Sequence, residues 1–132
     1  MIIGPITVEI PPLVLFSQIV TAMESGSKYW IEGIHVTRPD TWGALPWLPK
    51  RYRHDGTPDV YAAPFAAGGS IGIKPNDDNK WRRLDHLTIL VGVRTMLRIS
   101  PKQFGAMMSG DGDDWTADVF LQCCLFDEVR YG

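Results

Sequence analysis

The end of the chain reads SGDGDDWTADVFLQCCLFDEVRYG, residues 109–132, and predicts a capped helix. Four aspartates lie between Asp111 and Asp118, and an apolar stripe follows them. An EF-hand calcium loop needs a central glycine and a bidentate acid at its twelfth position, which here is Gln122. The spacing therefore favours capping and solvation of these carboxylates over a metal site.

The stripe itself predicts the last helix, beginning near Thr116. Its inward positions would be Val119, Phe120, Cys123, Leu125 and Phe126. The only two cysteines are the neighbours Cys123 and Cys124, whose side chains diverge by roughly 100° on a helix. A disulfide between them is therefore geometrically poor, which suits a reducing cytosol.

Two further helices are predicted before this segment. Asp85 is a plausible N-cap for HLTILVGVRTMLRI. Apolar positions able to line its buried face are Leu87, Leu90, Val91, Met96 and Leu97. Ser100 and Pro101 then begin a short helix that ends at Gly110.

The front of the chain predicts strand, helix and strand. Residues 6–10, ITVEI, alternate apolar and polar side chains as a half-buried strand does. An amphipathic helix follows Pro11 and Pro12 and stops at Gly26, and a second strand covers Tyr29–Thr37. Residues 39–75 are rich in proline and glycine, which predicts a long loop and then a hairpin at Ala63–Ile73.

These elements predict one α+β domain over residues 1–132, with an irregular excursion at about 38–75. A small antiparallel sheet would combine the N-terminal strand, the Tyr29–Thr37 strand and the Ala63–Ile73 hairpin. Three or four helices would pack on one face of it. Because the other face and the edges stay free, we expect a homodimer.

Composition excludes several classes of function. The chain has 132 residues, 45% of them hydrophobic, and a net charge of -2, so the charge that drives binding to duplex DNA is missing. It lacks a run of 18 apolar residues and a leader-like N-terminus, which predicts a cytoplasmic protein without membrane contact.

The segment RPDTWGALPWLPKRYRHDG, residues 38–56, has the composition of a recognition element. Arginine binds phosphate or carboxylate through two bonds, and indoles stack on bases or anchor in protein pockets. The candidate ligand-binding or partner-binding residues are Arg38, Trp42, Trp47, Arg51, Tyr52 and Arg53. An equally favoured alternative makes Trp42 and Trp47 a lid over the core, with the arginines paired to the acidic C-terminal segment. KWRRLD, residues 80–85, could extend the same basic face or form an ordinary solvated turn.

Enzyme motifs are missing from the sequence. His35, His54 and His86 fit no zinc spacing, and no GxSxG elbow, Walker loop or dinucleotide fingerprint occurs. We therefore predict no catalytic residue, no metal and no cofactor.

Two segments carry a family resemblance, ESGSKYWIE near the front and TADVFLQCCLFDEVRYG at the end. The chain resembles a group of small proteins of tailed bacteriophages and prophages, most of them uncharacterised. In these, a Gly-Ser-x-Tyr-Trp segment follows the first helix, and a Thr-Ala-Asp-x-x-x-Gln helix ends in Tyr-Gly. Where similar proteins often have glycine before the final glutamate, this chain has Asp127.

The resemblance implies a non-enzymatic phage accessory protein acting inside the infected or lysogenic bacterial cell. Its leading implication is an inhibitor of a bacterial immune system that sequesters a signalling nucleotide through the Arg/Trp segment. A second reading is an inhibitor of the anti-CRISPR kind, which binds a host defence protein and presents an acidic face. A third is a structural or replication accessory of the virion cycle.

Overall fold

The computed structural model describes residues 1–132 and confirms a single α+β domain with a small antiparallel sheet. The helices are α1 (Pro12–Thr21), α2 (His86–Ile99), α3 (Pro101–Ser109) and α4 (Asp114–Phe126). The strands are β1 (Ile31–Thr37), β2 (Arg53–His54), β3 (Thr57–Pro58), β4 (Ser70–Pro75) and β5 (Arg82–Leu84). A π-helical turn covers Ala22–Gly26, and 3₁₀ turns cover Lys50–Tyr52 and Val60–Phe65.

The main sheet has the antiparallel order β1-β4-β5. Ile71 and Ile73 of β4 are completely buried beneath the helices, and they pair with Val36 and Ile34 of β1. Strands β2 and β3 form a separate hairpin around Asp55 and Gly56, at φ 52° and 81°. Two consecutive positive φ values are the geometry of a type I′ turn, for which Asp-Gly is a preferred pair.

Two predicted strand pairings are wrong. Residues 6–10 form no strand, because alternation supplies an amphipathic pattern but not the neighbouring backbone that a ladder requires. The second half of the predicted hairpin at Ala63–Ile73 lies in β4, but its first half is part of the 3₁₀ turn at Val60–Phe65, where Pro64 has no N–H to give a ladder. The third strand of the sheet is instead β5, within the segment interpreted as basic face or turn.

The start of α2 follows the predicted capping chemistry, whereas Ser100 makes no side-chain capping bond at the start of α3. The Asp85 carboxylate accepts the Thr88 N–H at 3.0 Å, and the Thr88 hydroxyl accepts the Asp85 N–H at 2.8 Å. Pro101 occupies the first turn of α3, and Gly110 ends that helix in the left-handed region. Helix α4 begins at Asp114, two residues before the predicted start.

The buried face predicted for α2 is largely wrong. Of its five predicted residues only Met96 is buried, and the others are exposed: Leu87, Leu90, Val91 and Leu97. The reason is Gly92, which lies against α4 so closely that a Cβ there would collide with the Cys124 Sγ. Because close backbone approach needs a small residue, α2 turns its glycine side inward and its larger side chains outward.

Helix α4 runs through the centre of the main core. The predicted inward residues are buried, apart from the half-buried Leu125. Burial raises the pKa of Cys123 to about 11 and that of Cys124 well above its usual value, so both thiols stay protonated at neutral pH. A second, smaller cluster joins α1 to the excursion through Phe16, Leu45 and Leu48. No helix has both the length and the hydropathy that crossing a bilayer demands.

Candidate functional site

The segments ESGSKYWIE, residues 24–32, and TADVFLQCCLFDEVRYG, residues 116–132, meet at Asp118. Its carboxylate is fully buried and accepts the Ser27 hydroxyl and the Trp30 indole N–H, both at 2.8 Å on Oδ1. The Tyr29 hydroxyl donates to Oδ2 at 2.5 Å. Three donors thus satisfy a buried charge that would otherwise be costly, and we call these four residues the Asp118 cluster.

Tyr29 acts in this cluster as a neutral donor. Burial, the hydrogen bond to Asp118 and the negative charge of Asp118 together raise the pKa of Tyr29 well above its usual value. Trp30 is almost fully buried and stacks on Tyr131, with ring centroids 5.2 Å apart and planes at 14°. The cluster therefore fastens the start of β1 to α4 and to the C-terminus.

Gln122 completes this attachment one turn further along α4. Its Oε1 accepts the N–H groups of Arg130 and Tyr131, each at 2.7 Å, and its Nε2 donates to the Tyr131 carbonyl at 3.0 Å. Asp127 ends α4 with φ 56°, in the left-handed region that favours glycine. The left-handed turn therefore forms although position 127 holds aspartate and not glycine. Asp127 also accepts a hydrogen bond from the Thr95 hydroxyl.

The four aspartates do not share one role. Asp113 caps α4 by accepting the Thr116 N–H at 3.0 Å, and this backbone hydrogen bond is the main reason why its pKa is lowered. Asp114 accepts the Ser25 hydroxyl at 2.8 Å, and Asp111 accepts that of Ser109 at 3.1 Å. These three are exposed, as predicted, but solvation was the wrong prediction for Asp118. No group of three or more His, Cys, Asp or Glu side chains is arranged to hold a metal ion.

The aromatic residues of the Arg/Trp segment fold back onto the second cluster. Phe16 lies 5.9 Å from Trp47 and 4.9 Å from Tyr52, measured between ring centroids. Trp42 is half-buried against the same cluster. The two indoles thus cover the second cluster, in agreement with the interpretation of Trp42 and Trp47 as a lid.

The three arginines of the segment have separate surroundings. An Arg53 guanidinium N–H donates to the Leu45 carbonyl at 2.5 Å. This hydrogen bond joins two parts of the irregular excursion at residues 38–75. The Arg51 guanidinium lies 5.0 Å from the centre of the Tyr52 ring, and Arg38 is exposed. None of the three forms a salt bridge, so the expected pairing with the acidic C-terminal segment is wrong.

Arg38 is the one predicted residue that lines a polar cavity, of about 400 Å³, between the end of β1 and the β2–β3 hairpin. We call it the Arg38 cavity; its other lining residues are His54, Thr57, Pro58, Asp59 and Val60. The Asp59 carboxylate accepts the Tyr61 N–H at 2.9 Å and caps the following 3₁₀ turn. Sequence reasoning missed His54 and Thr57, although the Asp-Gly pair between them is the signal for the hairpin that places them here.

The two arginines that follow Trp81 are paired with nearby carboxylates. Arg82 pairs with Asp78 at 3.0 Å, and Arg83 pairs with Asp85 at 3.1 Å. The Trp81 ring covers Gly33, where a Cβ would lie 3.0 Å from the indole. This segment therefore builds an edge strand, and its two arginines do not join Arg38.

No protein-family model, curated protein or solved structure matches the chain. The chemistry of the Arg38 cavity is therefore defined by its own lining residues.

Proposed function

We propose that the protein is a non-enzymatic phage accessory protein that binds a signalling nucleotide and so keeps it from a bacterial immune system. The observation that carries this proposal is the Arg38 guanidinium, which lines a cavity of about 400 Å³ and has no carboxylate partner. Small-molecule sites usually enclose about 300–1,000 Å³, so the cavity is large enough for part of a nucleotide. The family resemblance supplies the biological setting.

The lining of the cavity suits a phosphate group. A guanidinium can give a phosphate two parallel charge-assisted hydrogen bonds, and Thr57 and His54 can supply further donors. The one carboxylate in the lining, Asp59, repels an anion, and its hydrogen bond from the Tyr61 N–H stabilises part of that negative charge. Pro58 and Val60 offer an apolar wall to a sugar or base.

The indoles have a different role from the one their composition suggests. Trp47 packs against Phe16 and Phe65, with ring centroids at 5.9 Å and 5.1 Å, and therefore has little free surface for a base. In this proposal Trp42 and Trp47 hold the excursion in place, and Arg38 makes the contact with the ligand. Arg51, which is also exposed and without a carboxylate partner, adds long-range attraction for an anion.

The test is native mass spectrometry of protein purified from bacteria that make immune nucleotides. We expect a retained small molecule whose mass, after release by heat, is that of the unmodified nucleotide. Arg38→Ala should lose charge-assisted bonds worth roughly 1.5–3 kcal/mol, or about one to two decades of affinity. Arg98→Ala removes an exposed arginine of α2 and is the matched control that should retain the ligand. Retention by both variants would show that the cavity does not bind it.

One observation favours a second candidate, an inhibitor that binds a host defence protein. Asp111, Asp113 and Asp114 are all exposed, and the indole of Trp115 beside them is 41% exposed. Acidic groups around an aromatic anchor suit a protein partner that normally holds nucleic acid. If Trp115→Ala abolishes protection from the immune pathway and Arg38→Ala does not, this second candidate replaces the first.

A further inference from the structure

The first nine residues form an apolar arm without helix or strand. Its large side chains are between 54% and 115% exposed: Met1, Ile2, Ile3, Ile6 and Val8. Glu9 is the only charged side chain of this N-terminal arm. An apolar segment of this length in water is unfavourable unless another surface covers it.

A second set of exposed apolar side chains lies on α2. These are Leu87, Leu90, Val91 and Leu97, between 43% and 70% exposed, and we call them the α2 stripe. Residues three, four and seven positions apart share one side of a helix, so Leu87, Leu90, Val91 and Leu97 follow one another along α2. The stripe exists because Gly92 turns the opposite side of α2 toward α4.

An apolar groove of about 500 Å³ joins the arm to the stripe. Ile6, Val8 and Ile10 line one side of it, and Leu90 and Leu97 line the other. The second half of the arm therefore already lies along α2. Residues 1–5 extend past this contact, and at about 3.3 Å per residue they reach roughly 16 Å further.

We infer that a second copy of this chain covers the α2 stripe, and that the N-terminal arm of each copy lies across α2 of the other. Both halves of such a contact, the arm and the stripe, occur in the same chain, and a two-fold axis repeats the contact in both directions. Glu9 of the arm can pair with Arg94 or Arg98 of α2, a helix without carboxylates, although the Met1 amine balances the charge of Glu9 over the arm as a whole. The contact is independent of the Arg38 cavity.

The available surface is large enough for a stable dimer. Burying one aliphatic side chain removes about 60–120 Å² of apolar surface from water, judged from its transfer free energy. Weighted by their exposure, the nine side chains of arm and stripe offer on the order of 550 Å² in each copy. A standard interface takes about 800 Å² from each partner, about 65% of it apolar in homodimers, so the two quantities agree.

The test is the mass of the full chain in solution, measured by light scattering or sedimentation velocity. We expect two chains of 14.8 kDa each, and one chain for Ile3→Asp and for Leu87→Glu. Both substituted side chains are at least 70% exposed in the single chain, so folding should be unaffected, which circular dichroism can verify. Ile34→Asp, at a 41% exposed position of the sheet-edge strand β1, is the matched control and should stay dimeric.

A mixture of two variants tests the exchange of arms. Protein carrying Ile3→Cys and protein carrying Leu87→Cys should form a disulfide between chains under mild oxidation, because Cys123 and Cys124 are buried and do not compete. A monomeric wild type would overturn the inference. So would a dimer that persists in both Ile3→Asp and Leu87→Glu, or one that dissociates only in Ile34→Asp.

Discussion

Trp30 and Trp47 are held by different interactions in two regions, the Asp118 cluster and the excursion at residues 38–75. Trp30 is 1% exposed, donates to Asp118 at 2.8 Å and stacks on Tyr131. Trp47 is half-buried in the excursion and is held by ring contacts with Phe16 and Phe65. In the first region the Asp118 carboxylate has three hydrogen-bond donors, whereas the second region leaves Arg38 and Arg51 without a carboxylate. The comparison suggests that the first region serves stability and that the second serves binding.

The largest expected effect comes from the core of the first region. Phe120 is completely buried, so Phe120→Ala should lower the free energy of unfolding by about 3–5 kcal/mol. Trp47→Ala, the counterpart in the second region, should cost less, about 1–3 kcal/mol, because Trp47 is only partly buried whereas Phe120 is completely buried. Chemical denaturation measures both values. A larger loss for Trp47→Ala would reverse the ranking of the two regions.

The next effect concerns the buried carboxylate. Asp118→Ala leaves the hydroxyls of Ser27 and Tyr29 and the indole N–H of Trp30 without their acceptor, so we expect a loss of at least about 3 kcal/mol. Asp113→Asn is the matched control, because asparagine caps a helix as well as aspartate does. Thermal unfolding should show a large decrease for the first variant and almost none for the second. Equal midpoints for the two variants would mean that the three donors do not depend on the Asp118 carboxylate.

The smallest effect is the response to alkaline pH. Because the folded state raises the pKa of Tyr29 above its ordinary value of 10.0, the neutral form stabilises the fold. This contribution is complete below pH 10, where the tyrosine is neutral in both states, and is lost as the pH rises through the pKa of the folded state. Tyr29→Phe should therefore make the loss of stability above pH 10 less steep than in the wild type. An unchanged slope would assign the alkaline response to other tyrosines, such as Tyr131, whose pKa is also raised.

Local chemistry was the part of the fold that could be predicted. The caps at Asp85 and Asp113 and the stop at Gly110 depend only on a few neighbouring residues. They can therefore be recognised in the sequence without knowledge of tertiary contacts. The strand predicted at residues 6–10 failed because pairing depends on a neighbouring strand that is distant in sequence. The buried side of α2 failed because Gly92 contacts Cys124, which is 32 positions away in the sequence.

The candidate site was predictable only in part. Arg38 was singled out by composition, but the cavity also needs His54 and Thr57, which the β2–β3 hairpin brings to the end of β1. The Asp118 cluster was hidden because an aspartate at the start of a helix is usually a solvated cap.

The most direct test of this division between stability and binding uses two variants, Arg38→Ala and Asp118→Asn, in the same two assays. One assay measures the thermal midpoint, and the other measures the nucleotide retained in native mass spectrometry well below that midpoint. Arg38→Ala should keep the midpoint of the wild type and lose the nucleotide, whereas Asp118→Asn should lower the midpoint and keep the nucleotide. The opposite pattern, with binding lost at Asp118 and stability lost at Arg38, would contradict the account.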